Sequence, residues 1–267
     1  KTKNRTISLA KNWSFKVGSF RKPFMGVNQI STLLYNKMIF PLLNYPIKGA
    51  IWYQGESNAN NLEEATKYSE LFPSMIQQWR KDWNIGDFPF LWVQLANFME
   101  PQEPTVASNW AVLRESQSST LKIKNTGEAV IIDLGEASDI HPKNKQDVGY
   151  RLALAAKKIA YNQELVYSGP TFNSQEIKDN KIVVRFNNLG SELQTNDKYG
   201  YVKGFTIAGA DKKFYWANAT IENNKVVVWS SKVSNPLFVR YAWADNPDDA
   251  NLYNKENLPT TPFRTDK

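Results

Sequence analysis

Residues 47–58 read IKGAIWYQGESN: an apolar run with little alternation stops abruptly at a polar segment. Such a run predicts a strand covered on both faces, as in a parallel sheet. Residues 88–95 and 129–134 have the same apolar character. We therefore predict three buried strands, the first of which ends at the polar residues 54–58.

Helical periodicity separates the predicted strands. Leu71, Met75 and Trp79 recur at helical spacing, and Gly86 follows the end of that pattern. Alternating strands and helices predict parallel strands with right-handed crossovers, that is, a three-layer α/β domain. The predicted helices are residues 62–83, 105–121 and 145–162.

The periodicity changes from helical to alternating after about residue 163, which predicts a second, antiparallel β domain. Asp179-Asn180 and Asn223-Asn224 are typical turn residues. The predicted domains are residues 1–163 and 164–267, and the Pro- and Asn-rich end of the chain is predicted to lack regular structure. The predicted strands of this part are residues 181–186, 225–229 and 237–243.

The composition excludes several kinds of site. The chain of 267 residues has no Cys and one His, His141, which rules out disulfides, thiol nucleophiles, Cys-ligated metals and multi-His zinc sites. Any imidazole chemistry must use His141. No stretch of about 18 uncharged apolar residues exists, so the sequence predicts no membrane span.

The net charge of +7 is concentrated in one region. Residues 1–50 carry nine Lys and Arg and no acidic residue, whereas the remainder carries 24 basic and 26 acidic residues. Aromatic residues, Trp13 and Phe15 among them, are scattered through this basic leader, and it lacks RNA-binding signatures. We expect a solvated or partner-covered face there and no nucleic-acid binding.

Two polar clusters follow predicted strands, where ligands bind in open parallel sheets. In residues 54–58, Gly55 permits close backbone approach, and Gln54 or Asn58 could donate a hydrogen bond to a developing oxyanion. The alternative is a polar turn that merely ends a strand. In the second cluster, His141 follows Asp139 by two residues and could be a general base oriented by that carboxylate, or a loop His that caps the next helix.

The sequence contains no convincing nucleophile. Residues 55–59, GESNA, lack the last Gly of the Gly-x-Ser-x-Gly turn around a catalytic serine, which leaves Ser57 unassigned. Residues 119–122, STLK, match Ser-x-x-Lys, a pattern expected by chance in a chain this rich in Ser and Lys. The many Trp residues would suit stacking on sugars, although core packing explains most of them.

These clusters resemble one known family. Residues 47–59, the sequence DIHP at 139–142 and VGYRL at 148–152 are similar to the sialate O-acetylesterase family of SGNH-type hydrolases. Residues 28–36, 204–205, 239–243 and 262–266 extend the resemblance over essentially the whole chain. It implies a partial, flavodoxin-like SGNH domain followed by a smaller antiparallel β domain.

The resemblance implies a serine esterase that removes O-acetyl groups from sialic acids or related glycans, without a metal or organic cofactor. His141 would be the catalytic base and Asp139 its orienting carboxylate. The oxyanion and substrate-binding region would comprise Gln54, Gly55, Glu56 and Asn58. A periplasmic or secreted location is typical of such proteins.

The family's nucleophilic serine lies in a Gly-Gln-Ser-Asn block, which this sequence lacks. We therefore expect the chain to be the C-terminal portion of a longer enzyme, with an N-terminal portion that carries the serine as its partner. Two alternatives remain open: an acetylxylan esterase with the same chemistry, and a non-catalytic carbohydrate-binding fragment.

Overall fold

The computed structural model describes Gly26 and residues 30–267. The chain divides into two compact units, Lys1–Tyr45 and Pro46–Lys267. In the first unit, a π-helical turn at Tyr35–Ile39 precedes a 3-10 turn at Phe40–Leu42. Most of the basic leader, including its aromatic residues Trp13, Phe15, Phe20 and Phe24, lies outside the described residues.

The predicted parallel sheet is confirmed. Strands β1 (Ala50–Trp52), β2 (Phe90–Val93) and β3 (Thr126–Ala129) are parallel and lie side by side in that order. All of β2 is buried, but Ile51 in β1 is 70% exposed. The prediction that the first strand is covered on both faces is therefore wrong, because β1 lies at the edge of the three described strands.

The third strand ends where the sequence predicts that it begins. Its pairing with β2 stops at Ala129, and the apolar run beyond it leaves the sheet. Val130 and Ile132 pack into the core of the β-rich part, whereas Ile131 packs beside Val93 and Val148. Residues 130–132 are apolar because they are buried in two different cores. Their sequence therefore resembles that of a buried strand, although they do not pair with β2.

Helix α1 (Leu62–Trp83) connects β1 to β2 and has the predicted bounds. Its N-terminus is capped by Asn61, whose side chain accepts a hydrogen bond of 2.9 Å from the Glu64 N–H. The buried face carries Tyr68, Phe72 and Ile76, whereas Leu71 is exposed.

Helices α2 (Asn109–Ser119) and α3 (Lys145–Ile159) are both shorter than predicted. Helix α2 does not begin near residue 105, because the Ser108 hydroxyl caps it by accepting from the Ala111 N–H. In α3, Val148, Arg151 and Ala155 are buried.

The β-rich part consists of two four-stranded sheets, in the orders β4-β5-β10-β9 and β13-β11-β7-β8, and a β12-β6 pair. Every pairing in it is antiparallel, as predicted. The strands are β4 (Thr171–Lys178), β5 (Lys181–Asn187), β6 (Leu193–Thr195), β7 (Phe205–Ala208), β8 (Tyr215–Trp216), β9 (Asn218–Glu222), β10 (Lys225–Trp229), β11 (Phe238–Tyr241), β12 (Leu252–Asn254) and β13 (Phe263–Arg264).

In this part, the predicted turn at residues 223–224 is confirmed, whereas the prediction of an end without regular structure is wrong. Asn223 and Asn224 both have positive φ, 50° and 57°, and form the two-residue turn between β9 and β10. The end of the chain does not lack structure, because β12 and β13 lie within it. Both strands are too short for their alternation to be visible in the sequence.

Polar contacts join the two parts within residues 46–267. Asp133 pairs with Arg151 at 2.6 Å and also accepts a hydrogen bond of 3.2 Å from the Tyr253 hydroxyl. Arg264 donates to Glu115 at 2.7 Å. The boundary predicted at residues 163 and 164 stays a prediction.

Glu128 is a buried carboxyl group in β3. It accepts hydrogen bonds from the Ser118 hydroxyl at 2.9 Å and from the Trp92 indole at 3.3 Å. Burial raises the pKa of Glu128 to about 7, and the hydrogen bonds only partly oppose that shift. The folded protein therefore binds a proton here more tightly than the unfolded chain does.

We expect the contribution of Glu128 to the free energy of unfolding to be largest below pH 4.5 and to fall as the pH rises through about 7. The expected loss between pH 5 and pH 8 is about 3 kcal/mol. Urea denaturation at both pH values would show a shallower pH dependence for Glu128→Gln than for the native chain. Equal dependence in the two proteins would contradict this expectation.

Candidate active site

The polar loop after β1 is held by a chain of hydrogen bonds. The Tyr68 hydroxyl donates to Gln54 Oε1 at 2.9 Å, and Gln54 Nε2 donates to Asn58 Oδ1 at 3.0 Å. The Asn58 oxygen is thereby used as an acceptor. Within residues 30–267, the Asn58 Nδ2 amide has no hydrogen-bond partner, so its N–H groups remain available to a ligand.

The Tyr68 hydroxyl can act as this anchor because it stays protonated. Burial raises the pKa of Tyr68 to about 12, and the charge of Glu56 adds to the shift. The same two causes raise the pKa of Tyr53 to about 12. At neutral pH the Tyr68 hydroxyl is therefore a hydrogen-bond donor that fixes the direction of the Gln54 amide.

Gly55 is required by the conformation of the loop. Its φ is +153°, in a region that favours glycine, and a Cβ atom there would lie 3.0 Å from the Leu113 side chain and 3.2 Å from Gln117 Nε2. Gln117 Nε2 also donates to the Gln54 carbonyl at 3.3 Å. Side chains of helix α2 thus contact the loop that follows β1 directly.

Asp139 and His141 lie together in an exposed loop before α3. The Asp139 Oδ1 atom accepts a hydrogen bond of 2.9 Å from the His141 backbone N–H. The same oxygen lies 3.6 Å from the imidazole Nδ1, too far for a direct hydrogen bond. The imidazole is 85% exposed, so it is open to a reacting group.

One residue from each cluster segment lines a cavity of about 370 Å³. Glu56 lines it from the loop after β1, and Ile140 lines it from between Asp139 and His141. Of the predicted site residues, only Glu56 lines this cavity; Gln54, Gly55, Asn58, Asp139 and His141 do not. Its other lining residues are Ala59, Asn60, Phe98, Met99, Ala107, Asn109, Trp110 and Asp245.

The long loop after β2 forms much of this cavity and is tied to its neighbours. Asn97 Nδ2 donates to Asn246 Oδ1 at 2.9 Å, and its Oδ1 accepts from the Gly135 N–H at 2.6 Å. Asn246 in turn donates to the carbonyl of Met99 at 2.6 Å. Met99 has a φ of 71°, a conformation that non-glycine residues adopt only where surrounding contacts impose it.

Arg114 is the buried centre of this scaffold. Its guanidinium donates to the carbonyls of Leu95, Ala96, Ala244 and Asp245 at 2.7–2.9 Å. Burial lowers the pKa of Arg114 to about 9, which still leaves it charged at neutral pH. One side chain on α2 thus links the loop after β2 to residues 244–245.

Sequence reasoning missed Arg114, Met99 and Asp245. Arg114 lies on the buried face of α2, four residues after Trp110, but a charged residue is usually exposed, and Met99 belongs to a loop without a motif. Asp245 is more than a hundred residues away from the two predicted clusters. No signal in a single sequence identifies any of the three.

The described serines do not reach the imidazole. Ser57 is exposed, the Ser119 hydroxyl donates to the Ser116 carbonyl at 2.7 Å, and the buried Ser108 hydroxyl donates to Asp245 at 2.6 Å. Within residues 30–267, no serine hydroxyl is hydrogen-bonded to His141. Ser119 thus has a structural partner, as does Ser108, which caps α2.

Comparison with known proteins places this fold among the carbohydrate esterases. The chain belongs to the family of sialic acid-specific acetylesterases, whose family model matches residues 19–158. The resemblance found in the sequence is thereby confirmed.

Similar proteins include the sialate O-acetylesterase of Mus musculus, 30% identical over 260 residues, and that of Homo sapiens, 29% identical over 258 residues. These alignments cover 87% of this chain but only 47% and 48% of the two relatives, so the chain spans about half the length of the curated relatives it matches. A carbohydrate acetylesterase from Xanthomonas citri of known crystal structure is 53% identical, with a TM-score of 0.85. That match covers 90% of this chain and 55% of the other.

No helix in the described part of the chain is long and apolar enough to cross a membrane.

Proposed function

We propose that this chain forms part of a serine-type carbohydrate acetylesterase that removes O-acetyl groups from sialic acid or related acetylated glycans. The observation that supports the proposal is the cavity lined by Glu56 of the loop after β1 and by Ile140, which lies between Asp139 and His141. The family membership supports the reaction class. An acetylated sugar is the proposed substrate, and a periplasmic or secreted location suits it.

His141 is the proposed general base. It accepts the proton of the attacking serine hydroxyl as that oxygen bonds to the acetyl carbonyl, and then returns the proton to the sugar oxygen that leaves. Water attacks the acetyl-enzyme with the same proton transfer, and acetate leaves as the serine is reprotonated. Asp139 orients the imidazole in this scheme, and a small rotation of His141 would bring its Nδ1 within hydrogen-bond distance.

The loop after β1 provides the proposed oxyanion site. The unpartnered Asn58 Nδ2 donates to the carbonyl oxygen as it becomes negative. Gln54 holds Asn58 in that direction, and Gly55 allows close approach of the loop to the reacting group. Glu56 lines the cavity and contacts the sugar.

The attacking serine is proposed to lie outside these 267 residues, in an N-terminal portion of the same enzyme. No serine hydroxyl within residues 30–267 is hydrogen-bonded to His141, which supports this.

Labelling with a fluorophosphonate, which reacts covalently with activated serines, tests the assignment of the nucleophile. In a preparation that hydrolyses acetylated sialic acid, we expect the label on a serine outside these residues, and none on the isolated 267-residue chain. Mass spectrometry of the labelled peptide identifies the site. A label on Ser57 would contradict the assignment, and hydrolysis without any labelled serine would contradict a serine mechanism.

A further inference from the structure

A second cavity, of about 110 Å³, lies on the other side of the loop after β2. Phe98, Met99 and Ala107 of that loop line the candidate active site, whereas residues 101–104 and 106 line the second cavity. The segment around Asp245 is shared in the same way: Asp245 lines the first cavity, and Ala244 and Asn246 line the second. The two cavities are therefore neighbours separated by one loop and one short segment.

Two indole rings form walls of the second cavity. Trp216 is 47% exposed at the end of β8, and Trp243 follows β11. The Arg264 guanidinium lies 4.8 Å from the centroid of the Trp243 ring, and Glu115 holds Arg264 in place. Trp243 is thus positioned before any ligand arrives, as binding platforms require.

Several polar groups of this cavity are hydrogen-bond acceptors. Gln102 lines it, and the Gln102 Oε1 atom is buried without a hydrogen-bond partner in the described part of the chain. A buried acceptor without a partner is costly, and a hydroxyl group from a ligand would satisfy it. Glu103, Asp248 and Asp249 also line the cavity and accept hydrogen bonds from hydroxyl groups.

The charge of the cavity restricts its ligand. Its lining includes three carboxyl side chains and no Lys, Arg or His. A ligand with its own carboxylate, such as a sialic acid, would be repelled. An uncharged sugar presents apolar C–H faces to the indoles and hydroxyl groups to the acceptors.

We propose that this cavity is a binding subsite for an uncharged sugar unit of the carbohydrate whose acetyl ester enters the candidate active site. The role in catalysis rests on the proposed function, but the binding does not. A further cavity of about 300 Å³ shares Gly204, Trp216 and Asp249 with the subsite. Trp216 therefore stands between two cavities, where it contacts consecutive units of an oligosaccharide.

The test is calorimetric titration of the 267-residue chain with xylotetraose, which is uncharged and carries no acetyl group. We expect binding in the native chain and an affinity at least about tenfold lower in Trp216→Ala. Trp229→Ala is the matched control, because Trp229 is a half-buried indole of β10 that lines neither cavity. Its affinity should stay within about twofold of the native value.

A second titration, with tetragalacturonic acid, in which every sugar unit carries a carboxylate, tests the charge argument. We expect this anionic ligand to bind at least about tenfold more weakly than xylotetraose, and the double variant Asp248→Asn, Asp249→Asn to narrow that difference. Failure of xylotetraose to bind at millimolar concentration, equal affinity in Trp216→Ala, or preferential binding of tetragalacturonic acid would each overturn the subsite.

These outcomes are separable from the proposed function. Acetate release without xylotetraose binding would overturn the subsite and leave the esterase standing. Xylotetraose binding that depends on Trp216, together with no acetate release by a polypeptide that combines these residues with the proposed serine segment, would support the subsite while contradicting the proposed function.

Discussion

Replacing His141 by alanine is expected to lower the rate of acetyl ester hydrolysis by about 10⁴-fold in the polypeptide that combines these residues with the proposed serine segment. Without the imidazole, no group removes the serine proton during attack or returns it to the sugar oxygen. The stability of the fold should hardly change, because the His141 side chain is 85% exposed. The hydrogen bond from the backbone N–H of residue 141 to Asp139 is retained in the variant. The measurement is kcat for acetate release together with Tm.

Lys143→Ala provides a matched control for this prediction. Lys143 belongs to the same loop, and its 74% exposed side chain forms a surface ion pair with Glu136, so its removal should leave both kcat and Tm nearly unchanged. More than a tenth of native activity in His141→Ala would contradict the assignment of the base. Strong hydrolysis by the 267-residue chain alone, abolished by His141→Ala, would instead show that a serine within the chain is competent.

Replacing Arg114 by methionine is expected to reduce the free energy of unfolding by about 3 to 5 kcal/mol. Methionine fills much of the same volume but donates no hydrogen bonds. The Ala96 carbonyl keeps a partner, the Trp110 indole at 2.8 Å, whereas the carbonyls of Leu95, Ala244 and Asp245 each lose the bond to Arg114. Urea denaturation at neutral pH measures the change.

Arg185→Met is the control for the loss of a guanidinium as such. Arg185 lies on β5 with its side chain 36% exposed and pairs with Glu176 at the surface. Its replacement should therefore change the free energy of unfolding by less than about 1 kcal/mol. A change below about 1 kcal/mol in Arg114→Met would show that water or a rearranged loop replaces the four hydrogen bonds.

The order of strands and helices was predictable because the helices up to α3 have helical periodicity and each strand lies within or next to an apolar run. The limits of those elements were not, since residues 130–132 and Ile51 depart from their pattern for tertiary reasons: the first are buried in other cores, and the second lies on an edge strand. The pattern of apolar residues in a sequence indicates which positions are buried, but not which part of the chain covers them.

The two polar clusters of the site were found because each follows a predicted strand. The walls of the cavity were not, because Met99 and Asp245 reach it through a loop and a distant segment that carry no motif. The direction of the Asn58 amide was equally invisible, since it depends on the hydroxyl of Tyr68, a residue that reads only as part of a helix.

The contacts that Arg114, Asn97, Asp133 and Glu115 make with residues 244–264 have a consequence for protein engineering. Exchanging the β-rich part for that of a relative would remove the partners of four side chains on the α/β part at once. A chimera joined after residue 163 should therefore be soluble and active only when residues 97, 114, 115 and 133 are exchanged with it. Residues 97, 114, 115 and 133 are thus expected to change together with their partners in residues 244–264. A transfer of substrate specificity from a relative should therefore include both groups of residues.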